Sequence, residues 1–107
     1  MNRAARRAVA AVASRPPART VEVTITEGEY AGWWCLARAD FPGSVLLELD
    51  SGNATRVIAA LSLIVLEHNL PGMDGKLAAS IADVDPFDGV KVLLAQVMEA
   101  IGRLPPR

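Results

Sequence analysis

Hydrophobic residues in the second half of the chain follow the spacing of helices. From Pro86 onward they recur at alternating steps of three and four residues, at Phe87, Val90, Leu94, Val97, Ile101 and Leu104. This spacing predicts an amphipathic helix with one apolar face. The stretch from Asn53 to His68 is apolar nearly all round and predicts a second helix. Such a helix must be covered on more than one side.

The first half of the chain shows the alternation of strands. Val21, Val23 and Ile25 alternate with polar residues, which predicts a half-buried strand. Residues 32–38 predict a second strand, joined to the first as an antiparallel hairpin by a loop of about four or five residues. Of Trp33 and Trp34, one should pack on the helices, while the other lies half exposed or anchors an interface.

The breaks between these segments carry turn and capping residues. Residues 41–50 fit a strand or a helical turn, and we favour the turn because Val45, Leu46 and Leu49 then share a face. Ser51 or Asn53 can cap the helix that follows.

The second break precedes the last helix. Residues 73–83 are expected to be a weakly ordered connection. The last helix should begin with Asp85 as N-cap and Pro86 at its first position, and it should end near Gly102.

These elements predict an α+β fold in which an N-terminal β-hairpin packs on a small C-terminal helical bundle, mainly helical after residue 52. We expect one domain over residues 19–107, which is an ordinary domain size. Residues 1–18 should form a basic, poorly ordered arm, dispensable for folding. The first 19 residues hold five arginines and no acid, whereas the remaining residues carry all 12 acids. No aromatic residue accompanies the arginines of the arm, so we do not expect nucleic-acid binding.

The chain offers little catalytic chemistry. His68, the only histidine, is expected in the last turn of a helix, where a cation is favoured. Cys35, the only cysteine, has no basic neighbour in the sequence and suits a buried apolar position. Asp83, Asp85 and Asp88 lack the pattern of a calcium loop. We therefore expect no enzyme activity, no cofactor and no metal. No apolar run reaches the roughly 18 residues of a membrane span.

Several short stretches resemble the tail assembly chaperones of long-tailed bacteriophages. Residues 65–76, with Glu67-His68-Asn69-Leu70 before an acidic glycine-containing turn, resemble the end of the apolar helix in that family. His68 stands where tryptophan is more usual. Tyr30-Ala31-Gly32-Trp33 with Arg38 resembles the start of an upstream strand, and residues 83–106 match the last helix and its end. The first seven residues are similar to short proteins of phages that infect actinobacteria.

The resemblance implies a non-enzymatic role in the cytoplasm of the host cell. Tail assembly chaperones bind the tape measure protein, keep it soluble and help to recruit the tail tube protein. The alternatives are a structural tail or neck component of the virion and a small nucleic-acid-binding regulator that uses the arginine arm.

The surplus of apolar helix surface predicts protein contacts. We expect a homo-oligomer with Leu61, Ile64 and Val65 at or beside the contact. A helical client should pack on the terminal helix, with Trp33 or Trp34 as a rigid anchor. The residues expected to hold it are Val90, Leu94, Val97 and Ile101. The alternative is that the protein's own core consumes this stripe.

Overall fold

Residues 20–38 form an antiparallel hairpin in the computed structural model, which describes residues 19–105. Strand β1 (Thr20–Thr24) pairs with β2 (Trp34–Arg38), with Val23 opposite Cys35. Ile25 N–H donates to the Trp33 carbonyl and Gly32 N–H donates to the Ile25 carbonyl, each at 2.8 Å. The predicted hairpin is confirmed, but residues 25–33 separate its strands, so its connection is clearly longer than the expected loop.

A third strand was not predicted. Strand β3 (Val65–His68) pairs antiparallel with the free edge of β2, which gives the sheet order β1-β2-β3. The predicted helix over residues 53–68 is therefore wrong at its C-terminal end. Val65 already has extended backbone angles, because pairing with β2 satisfies backbone groups that a longer helix would have bonded internally.

The new strand also changes the position of His68. It lies at the end of β3 and not in a helical turn, so the predicted interaction with a helix C-terminus is wrong. Its Nδ1 instead accepts a hydrogen bond from Leu70 N–H at 3.0 Å.

Three α-helices follow the hairpin, and their starts test the predicted caps. Helix α1 spans Gly43–Leu49, which confirms the favoured helical turn, and α2 spans Ala54–Ile64. Asn53 Oδ1 accepts a hydrogen bond from Arg56 N–H at 3.1 Å, so the predicted cap of α2 is confirmed.

Helix α3 spans Asp88–Gly102 and begins later than expected. Asp85 is not its N-cap and Pro86 is not its first position, because Phe87 is the capping residue and the helix begins at Asp88. Asp85 N–H instead donates to the Pro71 carbonyl at 3.0 Å in the preceding loop. The predicted end at Gly102 is confirmed.

The connection between β3 and α3 is better ordered than the sequence indicated. Gly72 N–H donates to the Lys76 carbonyl at 2.7 Å, and Ala78 N–H donates to the Leu70 carbonyl at 2.8 Å. A short 3-10 helix (Ile81–Asp83) follows. Buried apolar side chains of the whole connection join the core and fix the connection against it. These are Leu70, Ala78, Ile81 and Val84.

The core lies between one face of the sheet and the helices. Helix α3 packs on β1 and β2, while α1 and the 3-10 helix pack on α2. Alternate residues of the strands point into this core, which is the arrangement expected for an α+β fold. The predicted fold class is confirmed, with the sheet extended by β3.

Two further points concern the predicted N-terminal arm and membrane-spanning helices. The predicted arm, residues 1–18, lies outside the described residues. Within residues 19–105, no helix is long and apolar enough to cross a membrane.

Candidate protein-binding site

An open groove, here called the α1–α3 groove, lies between helices α1 and α3. Leu49, Asp50 and Leu94 line its middle. One half, of about 440 Å³, is completed by Leu46, Leu47 and Met98. The other half, of about 430 Å³, is completed by Gly52, Ala54, Val57, Phe87, Lys91 and Ala95. The lining is mostly apolar, so the groove favours an apolar occupant.

The groove exists because the two helices differ in length and in what they pack on. Helix α1 has 7 residues and α3 has 15, which correspond to about 10 Å and about 22 Å at 1.5 Å per residue. The short α1 packs on α2, and α3 packs on the sheet. Helix α1 therefore cannot cover the apolar residues that α3 turns away from the sheet.

Helix α1 presents two leucines to solvent beside this groove. Leu46 is 42% exposed and Leu47 is 71% exposed, while Val45 and Leu49 are buried. A sequence of apolar residues at 45, 46, 47 and 49 cannot lie on one face of a helix, since successive residues are about 100° apart. That excess is visible in the sequence, although the predicted contact residues do not include Leu46 or Leu47.

An ion pair fixes the α1 wall of the groove. Both carboxylate oxygens of the buried Glu48 accept hydrogen bonds from the guanidinium of Arg56 on α2, at 2.6 and 2.8 Å. Hydrogen bonding to Arg56 lowers the pKa of Glu48, which keeps this carboxylate charged. This bidentate contact joins α1 to α2 and holds the exposed leucines in place.

The rim of the groove carries charges of both signs. Asp50 follows α1 on one side, and Lys91 lies on α3 on the other. Lys91 Nζ is 3.7 Å from Asp88 Oδ1, but both side chains are largely exposed. Such an exposed pair contributes little to stability, so Lys91 is available to a partner.

Four of the predicted contact residues are buried in the chain's own core. Leu61 and Ile64 of α2 belong to the buried core cluster. Val90 and Val97 are buried on α3, which packs on the sheet. These side chains offer no surface to a partner in this structure. Other chains were expected to supply part of the cover of α2, and within this chain α1 and the 3-10 helix pack on it.

The other predicted contact residues, apart from the tryptophans, lie at three separate places. Leu94 lines the middle of the groove. Ile101 is half-buried further along α3, and Val65 is half-buried in β3 opposite Ala37.

The two tryptophans occupy different sides of the sheet. Trp33 packs over Gly89 of α3 and beside Tyr30, with ring centroids 4.9 Å apart. Trp34 alternates with the inward-facing Cys35 and pairs with the exposed Thr24, which places it on the face away from α3. Only one of them packs on a helix, as expected, and Trp34 does not border the α1–α3 groove.

The polar residues considered for chemistry serve the fold. Cys35 is fully buried, and burial raises the pKa of its thiol to about 11, which disfavours the nucleophilic thiolate. Burial lowers the pKa of His68, whose Nδ1 is already an acceptor for Leu70 N–H. Among residues 19–105, no three His, Cys, Asp or Glu side chains are grouped to hold a metal ion.

Comparisons with family models, curated proteins and solved structures found no match to this chain. Among the described residues, the α1–α3 groove combines an apolar lining with two exposed leucines, Leu46 and Leu47. Its open shape and apolar lining suit non-covalent capture of an extended apolar surface.

Proposed function

We propose that the chain is a phage tail assembly chaperone that holds an apolar helical segment of the tape measure protein in the α1–α3 groove. The observation that carries this proposal is the pair of exposed leucines, Leu46 and Leu47, beside a groove lined by apolar residues from two helices. The short stretches that resemble tail assembly chaperones support it independently.

A helix is the form of client that best fits such a groove. Amphipathic helices lay an apolar face, with side chains at steps of three and four residues, between two walls of this kind. The apolar residues on α3 that line the groove, Leu94 and Met98, have the same spacing. Full burial of a leucine side chain stabilises a complex by about 1.5–3 kcal/mol. Because Leu47 is 71% exposed, a client that covers it gains most of that amount.

The shallow form of the groove agrees with a chaperone's task. The tape measure protein must be released when tail tube subunits assemble around it, so it has to be held reversibly. A groove with apolar walls and a rim of isolated charges gives affinity without a deeply enclosed site. We place this activity in the cytoplasm of the host cell, where tails are assembled.

Co-expression with the tape measure protein of the same phage tests the proposal. We expect the parent chain to keep apolar helical fragments of the tape measure protein in the soluble fraction and to co-purify with them. Leu47→Lys should abolish most of this capture, because a charge replaces the apolar side chain that projects beside the groove.

Leu77→Lys is a matched control. Leu77 is 66% exposed, nearly as much as Leu47, but lies in the loop before the 3-10 helix and outside the groove. This variant should capture the fragments as well as the parent does. Equal capture by the Leu47→Lys variant, with its circular dichroism spectrum unchanged, would contradict the proposal.

A further inference from the structure

The connection between β3 and α3 starts with a hydrogen bond that depends on the charge of His68. Nδ1 of His68 accepts this bond from Leu70 N–H at 3.0 Å. Only a neutral imidazole offers such an acceptor, because both ring nitrogens are donors once the ring is protonated. The arrangement is that of an Asx turn, in which a side-chain acceptor binds the backbone N–H two residues on. The bond therefore forms only while His68 is neutral.

Leu70 links this bond to the rest of the connection. Its side chain is fully buried, and its carbonyl accepts a hydrogen bond from Ala78 N–H at 2.8 Å. The next two residues pair, in isolated bridges, with Leu77 and Val84. These hydrogen bonds and bridges all join residues of the connection to one another. A segment of this kind can open as one unit while its surroundings stay folded.

Among the described residues, burial and not a neighbouring charge determines how readily His68 takes up a proton. Burial lowers the pKa of His68, because the charged imidazolium loses contact with water. Cys35 lies opposite His68 on β2, and burial raises the pKa of its thiol to about 11, so it is neutral at ordinary pH. The charged groups on β2, β3, α2 and the connection do not contribute to the shift at His68; they are Arg38, Glu67, Arg56, Asp74, Lys76, Asp83 and Asp85.

From these features we propose that protonation of His68 opens the connection between β3 and α3 while the hairpin stays folded. A proton on Nδ1 sets two donors against each other and leaves the part-buried Leu70 N–H without an acceptor. In the open form both groups bond to water instead. Opening also uncovers Ile81, Val84 and the side of α2 on which the 3-10 helix packs. The inference goes beyond the proposed function, since it assigns a pH-dependent closure to residues 69–85.

Amide hydrogen exchange of the full chain, followed by NMR at about pH 7.5 and about pH 5.5, tests the inference. The open form takes up a proton at the ordinary histidine pKa of 6.5, and the closed form does so only at a lower pH. The open population therefore rises by up to about tenfold for each pH unit below 6.5. We expect the protection factors of Leu70 N–H and Ala78 N–H, corrected for intrinsic exchange rates, to fall about three- to tenfold at the lower pH.

An amide of the hairpin shows whether the opening is local. Ile25 N–H donates to the Trp33 carbonyl within the hairpin. At both pH values its protection factor should be at least about tenfold higher than those of Leu70 and Ala78, because the connection opens without unfolding of the sheet.

Two variants separate the charge of His68 from its role as an acceptor. His68→Asn keeps an acceptor for Leu70 N–H that does not titrate in this range, so the protection of Leu70 should be high and equal at both pH values. His68→Ala removes the acceptor, so the protection of Leu70 should be low at both pH values.

Three results would each overturn the inference: unchanged protection factors in the parent, a fall in His68→Asn as large as in the parent, or equal protection of Ile25 and Leu70. No client is present, and the α1–α3 groove lies outside residues 69–85. These results are therefore independent of the capture assay for the proposed function.

Discussion

Gly89 allows α3 to approach the hairpin closely, and replacing it with alanine should destabilise the fold. Gly89 is buried in the first turn of α3, beneath the ring of Trp33. A Cβ atom at this position would lie 2.5 Å from Cη2 and 2.7 Å from Cε3 of that ring. Carbon atoms in favourable contact are about 3.5–4.0 Å apart. Cζ3 of the ring would lie closer still, so the ring or the helix must move by more than about 1 Å.

Two opposing effects determine how much the free energy of unfolding should fall. Overpacking of a core contact of this kind costs about 1–3 kcal/mol. Alanine returns up to about 1 kcal/mol through its higher helix propensity. The Trp33 ring also packs against Tyr30, so it cannot move without losing that contact. We expect Gly89→Ala to lower the free energy of unfolding by about 1–2 kcal/mol.

Urea denaturation, followed by tryptophan fluorescence, measures this loss directly. Gly102→Ala serves as the control, because Gly102 ends the same helix and a Cβ there meets nothing within 4 Å. The control should be as stable as the parent or slightly more stable. If Gly89→Ala is as stable as Gly102→Ala, then the close approach of Trp33 to α3 is not as described.

Three further predictions concern the sheet and its neighbours. Asn69→Ala removes hydrogen bonds to Trp34 N–H at 2.8 Å and to the Gly32 carbonyl at 2.9 Å. It should lower the free energy of unfolding, measured in urea, by about 1–2 kcal/mol. An unchanged unfolding midpoint would refute this. Cys35, with its pKa raised to about 11, should react with iodoacetamide in the native protein far more slowly than in urea. Burial lowers the pKa of His68 below its ordinary value of 6.5. The free energy of unfolding should therefore reach its full value above that pH and should decline as the pH falls below it. Thermal melts of His68→Gln should show a smaller decline.

The parts of the fold set by local pattern were predictable. The alternation around Val23 gave the hairpin, and Asn53 gave the start of α2. Strand β3 was not predictable in the same way. Residues 65–68 extend a helical pattern as well as they form a short strand, and only the unpaired edge of β2 decides between the two. That edge is far away in the sequence, so no local pattern contains it.

The site was partly predictable for a related reason. The sequence placed Leu94 and Val97 on one apolar face of α3, but the structure divides that face. Val97 turns to the sheet, and Leu94 turns to the groove. The division depends on where α3 lies across the sheet and on how short α1 is, and neither is a property of the α3 sequence itself. The excess of leucines in α1 was a local signal of an unfilled apolar surface.

The central claim is that the α1–α3 groove is the surface that binds a client helix. Methyl-resolved NMR titration with an apolar helical peptide from the tape measure protein tests it most directly, because each lining residue reports separately. We expect the largest shifts at Leu46, Leu47, Leu94 and Met98, and small ones at Leu77, which is nearly as exposed as Leu47 but lies outside the groove. Saturable binding that leaves the four groove methyls unshifted, or the absence of binding at millimolar peptide, would contradict the claim.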